Sequence, residues 1–169
     1  MKRLLAVMIC LAMIAGIGAA WAEEEVSPEA SKVEALGIPT VEDIAEMKAE
    51  ADELWEDEDY DGAAEAYEEL AKQAGWMLEI VTAVSSSPAE GPAELVARAN
   101  ALAEEYLAMK KLATVRAGLG YYYSDDYDSA LPFLMEALAM IDAGDTENAA
   151  LCAGAVMVII GEAEAPEEE

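Results

Sequence analysis

Asp59-Tyr60-Asp61-Gly62-Ala63 returns as Asp126-Tyr127-Asp128-Ser129-Ala130, and the spacing of the two copies restricts the fold more than any other feature. Ala63 and Ala130 stand 67 residues apart, close to two periods of a helix–turn–helix unit of about 34 residues. Each copy lies between stretches of helical periodicity, and each is followed, four residues past its alanine, by Tyr67 or Leu134. A chain that turns the same way twice at this spacing reads as all-α. It predicts antiparallel helical hairpins, five to seven helices in all, closing on an apolar C-terminal helix.

The periodicity places the helices. Thr40 is suited to an N-cap, with Glu42 and Asp43 in the first turn where the helix dipole favours acid. Val41, Ile44, Met47, Ala51 and Leu54 then make one stripe on a helix ending near Glu56. A second helix starts around Asp61, with Ala63, Tyr67, Leu70, Ala74, Met77, Val81 and Val84 in phase across Gly75. Gly75 is either a helix end or an interior glycine costing about 1 kcal/mol against alanine. Ser85 to Pro92 is a break. From Leu95 the stripe runs through Ala99, Leu102, Tyr106, Met109, Leu112, Val115, Leu119 and Tyr122 with no proline to interrupt it. Residues 92–123 are therefore one long helix or two shorter ones. Ala130, Leu134, Ala137 and Ile141 mark the next helix, closed by Ala143-Gly144-Asp145, with Pro132 expected in or near its first turn, where a missing amide costs least.

The termini point to export. Met1-Lys2-Arg3, the apolar run Leu4 to Ile17 and the small residues of Ala20-Trp21-Ala22 form the three parts of a cleaved secretory signal, residues 1–22. Residues 23–39 read as a flexible acidic leader, 40–161 as the helical domain and 162–169 as a disordered acidic tail. The domain is long enough to bury about 70% of its unfolded surface. The expected product is periplasmic or secreted, with no membrane span after cleavage.

Charge and missing residues exclude much chemistry. The net charge is −27, and cleavage would remove Lys2 and Arg3 while sparing all 36 acidic residues. Such a field argues against nucleic acid and anionic lipid and leaves cationic or basic partners open. There is no histidine, and of the two cysteines only Cys152 survives cleavage. Zinc sites of Cys and His, and triads or dyads that need His, are excluded. Asp125 and Asp126 are paired carboxylates, but as turn residues they read as caps and solvated charge. The expectation is a protein that is not an enzyme and needs no cofactor.

The repeated turns, with small residues facing each other across each hairpin, resemble the tetratricopeptide repeat (TPR) family. The first copy supplies Ala51 and Ala63; the second supplies Gly118, Ala130 and Ala137. The Asp-Tyr turn and the bulky Tyr67 and Leu134 also fit. Glu50, where the family has a core leucine, Leu70, where it has alanine, and the lack of a closing proline depart from the pattern. The resemblance covers about residues 44–75 and 111–143. It implies a protein or peptide partner held in a concave groove, with groove positions falling on Lys48, Asp52 and Trp55 in the first copy. In the second they fall on Val115, Leu119 and Tyr122. The alternative for Trp55 and Tyr122 is that they pack on neighbouring helices, as aromatic stripes at helical spacing usually do.

A second chemistry competes for the first turn. Asp57, Asp59, Asp61, Gly62 and Glu68 satisfy the EF-hand loop pattern, with Glu65 as a further oxygen, which makes an acidic calcium-binding module the alternative function. Ala64 where a bulky aliphatic pairs loops, Glu56 and Glu69 on the flanks, and Ser129 and Met135 in the second turn weigh against it.

The chain from Ala149 to Ile160 has no charge and is too short to span a bilayer. A helix apolar all round needs cover on several sides, although Val156 to Ile160 also has strand propensity. This segment is expected either to dock inside the bundle or to present an apolar patch to a second copy, as a homo-oligomer, or to a partner. Cys152 within it reads as a small buried apolar residue.

Overall fold

The structure, a computed structural model, describes residues 39–86 and 93–163. The expected signal, most of the expected leader, the expected tail from 164 and most of the 85–92 break lie outside the described residues. What is described is helical, without strands: α1 Val41–Glu56, α2 Tyr60–Ser85, α3 Ala93–Tyr123, α4 Tyr127–Met140 and α5 Thr146–Ala163. The described residues fall into two compact units, one drawn from 39–44, 73–86 and 93–107, the other from 45–72 and 108–163.

In the first unit α1 begins on a reciprocal cap. The Asp43 amide donates to the Thr40 hydroxyl at 3.1 Å, and the Thr40 amide donates to the Asp43 carboxylate at 2.6 Å, so two amides that the helix leaves unpaired find acceptors. Ile44, Ala74, Met77, Val81, Ala99 and Tyr106 are its buried apolar residues. The phase of the α2 stripe holds across Gly75, which is interior to a single helix. Burial, with Glu105 and Glu42 nearby, pushes the Tyr106 hydroxyl up to about 12.

In the second unit the two turns are one backbone motif made from different residues. At the first, the amides of Asp57, Glu58 and Asp59 donate to the carbonyls of Glu53, Trp55 and Leu54; at the second, those of Ser124, Asp125 and Asp126 donate to Gly120, Tyr122 and Tyr121. Every donor and acceptor is shifted by the same 67 residues as the alanines. Glu58 (φ 60°) and Asp125 (φ 63°) adopt the left-handed conformation that this helix ending requires, at about 1–2 kcal/mol for a side chain other than glycine. The next helix is then capped identically. Asp59 accepts from the Gly62 amide and Asp126 from the Ser129 amide, both at 3.2 Å, while their carbonyls accept from Ala63 and Ala130.

Small residues set the helix contacts. A Cβ on Gly120 would lie 2.9 Å from the Tyr60 carbonyl oxygen and 3.0 Å from the Ala64 Cβ; one on Gly118 would lie 3.0 Å from the Leu134 amide. Within this unit α3 is thus pressed against α2 on one side and α4 on the other. Ala51, Ala63, Ala130 and Ala137 are fully buried, as the stripes predict. Ion pairs from Lys110 to Glu136 (3.2 Å) and Lys111 to Asp142 (2.8 Å) lie further along α3 and α4.

Residues 93–123 form a single helix, so the long-helix alternative holds. Pro132 corrects its expected place. It is the sixth residue of α4, a full turn inside, and deprives the Asp128 carbonyl of its helical donor at an exposed position. The uncharged C-terminal segment is helical despite its β-branched residues. α5 is led in by Asp145, whose carboxylate accepts from the amide and side chain of Asn148, and it packs on α4. Cys152, Ala155, Val156 and Ile159 join Ala64, Val115, Leu119, Tyr121, Ala130, Leu134 and Ala137 in one core.

Candidate functional site

Where the two turns come together, aromatic rings gather in the second unit. Trp55, in the last turn of α1, meets Tyr60 of α2 edge-on at 5.4 Å, Tyr67 at 6.1 Å and Tyr123 of α3 at 6.0 Å. Tyr123 lies 5.2 Å from Tyr60 and 5.6 Å from Tyr122, and Tyr122 stacks on Tyr127 at 5.8 Å. The pattern follows the duplication: Trp55–Tyr60 brackets the first turn as Tyr122–Tyr127 brackets the second. The Arg116 guanidinium lies 4.2 Å from the Trp55 ring centre, an attraction of about 0.5–2 kcal/mol. Tyr123 remains 44% exposed, and Trp55, Tyr60 and Tyr122 are half-buried.

Beside this cluster Lys48 pairs with Asp52 one turn along α1, and Asp52 also accepts from the Tyr67 hydroxyl. Burial alone would raise the Asp52 carboxyl. The bonds from Lys48 and Tyr67, with the charges of Lys48 and Arg116, outweigh it and hold the group below the usual carboxylate range. The same bond, together with burial, pushes the Tyr67 hydroxyl well up. Among the described residues Arg116 has no carboxylate within ion-pair distance, whereas Lys48, Lys72, Lys110 and Lys111 are each paired.

The residues implied by the TPR resemblance divide accordingly. Lys48, Asp52 and Trp55 share one face of α1, where Trp55 meets Tyr123, and Tyr122 reaches this group only through Tyr123. Val115 and Leu119 do not line an open face, since both are buried in the core that α5 joins. The packing alternative for Trp55 and Tyr122 describes part of what is seen, because both rings touch neighbours while keeping partial exposure. Tyr60 and Tyr127 entered the sequence reading only as turn residues, and Arg116 and Tyr123 not at all. Arg116, Gly120 and Tyr123 do fall at helical spacing on one side of α3, and that signal would have found Arg116 and Tyr123.

The acidic turn is arranged differently from a chelating loop. Residues from Tyr60 onward are already helical, so Asp61, Glu65 and Glu68 project from a helix instead of converging. Asp59 caps Gly62, and Glu68 accepts from the Tyr121 hydroxyl at 2.7 Å. Among the described residues no group of three or more carboxylate or thiol side chains is placed to hold a metal ion. Cys152 is fully buried, and burial with Asp145 nearby pushes its thiol up, which keeps it protonated and inert. No helix among the described residues is long and apolar enough to cross a membrane. No protein-family model, curated protein or solved structure matches the chain.

Proposed function

We propose that this chain is an exported, non-enzymatic scaffold of TPR-like helical hairpins. Its aromatic face at Trp55, Tyr122 and Tyr123 holds an extended segment of a protein or peptide of the cell envelope. The observation that carries the reading is Arg116 beside Trp55. In a chain of net charge −27, a guanidinium with no carboxylate within ion-pair distance among the described residues lies over one of the partly exposed rings. Rings supply apolar area at small entropy cost, and the cation with the Lys48–Asp52 pair fixes the direction of a bound segment. The identical turns and the small-residue contacts at Gly118 and Gly120 support the hairpin assignment.

The test is capture from envelope extract by the chain recovered from the exported fraction, repeated with Trp55→Ala and Arg116→Gln. Export predicts Glu23 as the first residue of that material. Central aromatic and arginine contacts typically cost 2 kcal/mol or more when removed, roughly 30-fold in affinity, so the captured set should be lost from both variants while their helical circular dichroism is kept. An unchanged set would remove the binding face.

A further inference from the structure

From Asn148 to Gly161 α5 carries no charge, yet the described residues cover only one side of it. Cys152, Ala155, Val156 and Ile159 face the core, while Leu151, Val158 and Ile160 are exposed and Met157 is 70% exposed. Ala150, Gly154, Met157, Val158 and Gly161 recur at helical spacing along the uncovered side. Among the described residues nothing lies within 4 Å of where a Cβ on Gly154 or Gly161 would stand. A Cβ on Gly118 or Gly120 of α3 would stand only 3.0 Å or 2.9 Å from a neighbouring helix; Gly154 leaves room for a similar close approach with no described helix in place.

We infer that this face is where two copies of the chain associate, α5 against α5 about a two-fold axis near Gly154. Charge selects the occupant. With a net charge of −27, a second copy approaching elsewhere sets carboxylates against carboxylates, and only a surface bare of charge escapes that penalty. A basic partner is drawn to the acidic faces, but on this stripe its cations would be buried without a counter-charge. What fits is another uncharged apolar helix face with small residues at its centre, and every copy supplies one. Two helices crossing at about 50° and 8–10 Å apart separate the acidic ends of α5, about 12 Å from the crossing. Those ends then lie roughly 13 Å apart, beyond the Debye length of about 8 Å at physiological salt. Residual repulsion between the copies is thus screened by salt while the apolar contact is not. The dimer therefore tightens as salt rises, opposite to a complex held by ion pairs. This contact is independent of the Trp55 face.

Sedimentation equilibrium over a wide concentration range, at low and high salt, decides it. The expected result is a reversible monomer–dimer equilibrium, tighter at high salt, weakened at least tenfold by Met157→Glu and by Gly154→Leu. Met157 is exposed and a side chain at Gly154 meets no described atom, so the dilute monomer should stay folded in both variants, with its thermal midpoint near that of the parent for Met157→Glu and raised for Gly154→Leu by the helix propensity that leucine adds. A chain that stays monomeric at every concentration and salt overturns the inference. So does a dimer that survives both substitutions, or one that salt dissociates.

Discussion

Tyr67, Tyr106 and Tyr121 show how an acidic chain uses its phenols. Burial raises all three hydroxyls, and the hydrogen bonds from Tyr67 to Asp52 and from Tyr121 to Glu68 add to it. A folded value above the unfolded one means that their stabilisation is complete below about pH 10 and lost as pH climbs through the raised values, with Tyr106 at about 12. Tyrosinate absorbance from Tyr67, Tyr106 and Tyr121, assigned by removing each with a phenylalanine substitution, should therefore appear only with loss of helical circular dichroism. Ionisation of these three while the fold persists would contradict it. At this scale the sequence was partly legible. The Thr40 cap and the buried alanines follow from local pattern. The pairing of Tyr121 with Glu68 does not, since it joins residues whose separation no periodicity encodes.

Among the helices, the close contacts of α3 are set by two glycines. A methyl on Gly120 would collide with the Tyr60 carbonyl, a backbone atom that cannot swing aside. Gly120→Ala should cost about 1–3 kcal/mol by overpacking, outweighing the helix propensity that alanine adds. Thermal unfolding should show a lowered midpoint; a raised one would mean that α2 and α3 are not in close contact there. The phase of α1, α2 and α4 was readable, because their buried residues recur at steps of three and four; α3 is buried nearly all round from Ala113 to Tyr121, which its single stripe does not show. The depth of Pro132 was not readable, since the start of α4 at Tyr127 is set by Asp126 capping Ser129 and not by the proline. Val115 and Leu119 had two readings, stripe and groove, and their burial in one core with Ala130, Leu134 and the α5 residues Cys152, Ala155, Val156 and Ile159 follows the stripe. The placing of α5 itself was not legible, since its uncharged segment has no polar face to orient it.

For the molecule as a whole, the central claim is that one elbow has been used twice, at Glu58 and at Asp125, to hold α1 with α2 and α3 with α4. The duplication was visible as Asp-Tyr-Asp; the left-handed residue before it was not, because glutamate and aspartate stand where glycine would announce the turn. Thermal unfolding of Glu58→Gly, Asp125→Gly and the double variant tests the claim directly. Glycine relieves the strain and gives back part of it as unfolded-chain entropy. Each single should gain about 0.5–1 kcal/mol, roughly 1–4 °C, with slightly less at Asp125, which loses an exposed bond from Tyr127. The double should gain close to the sum. A lower midpoint for either glycine would show that the two elbows are not the same structure.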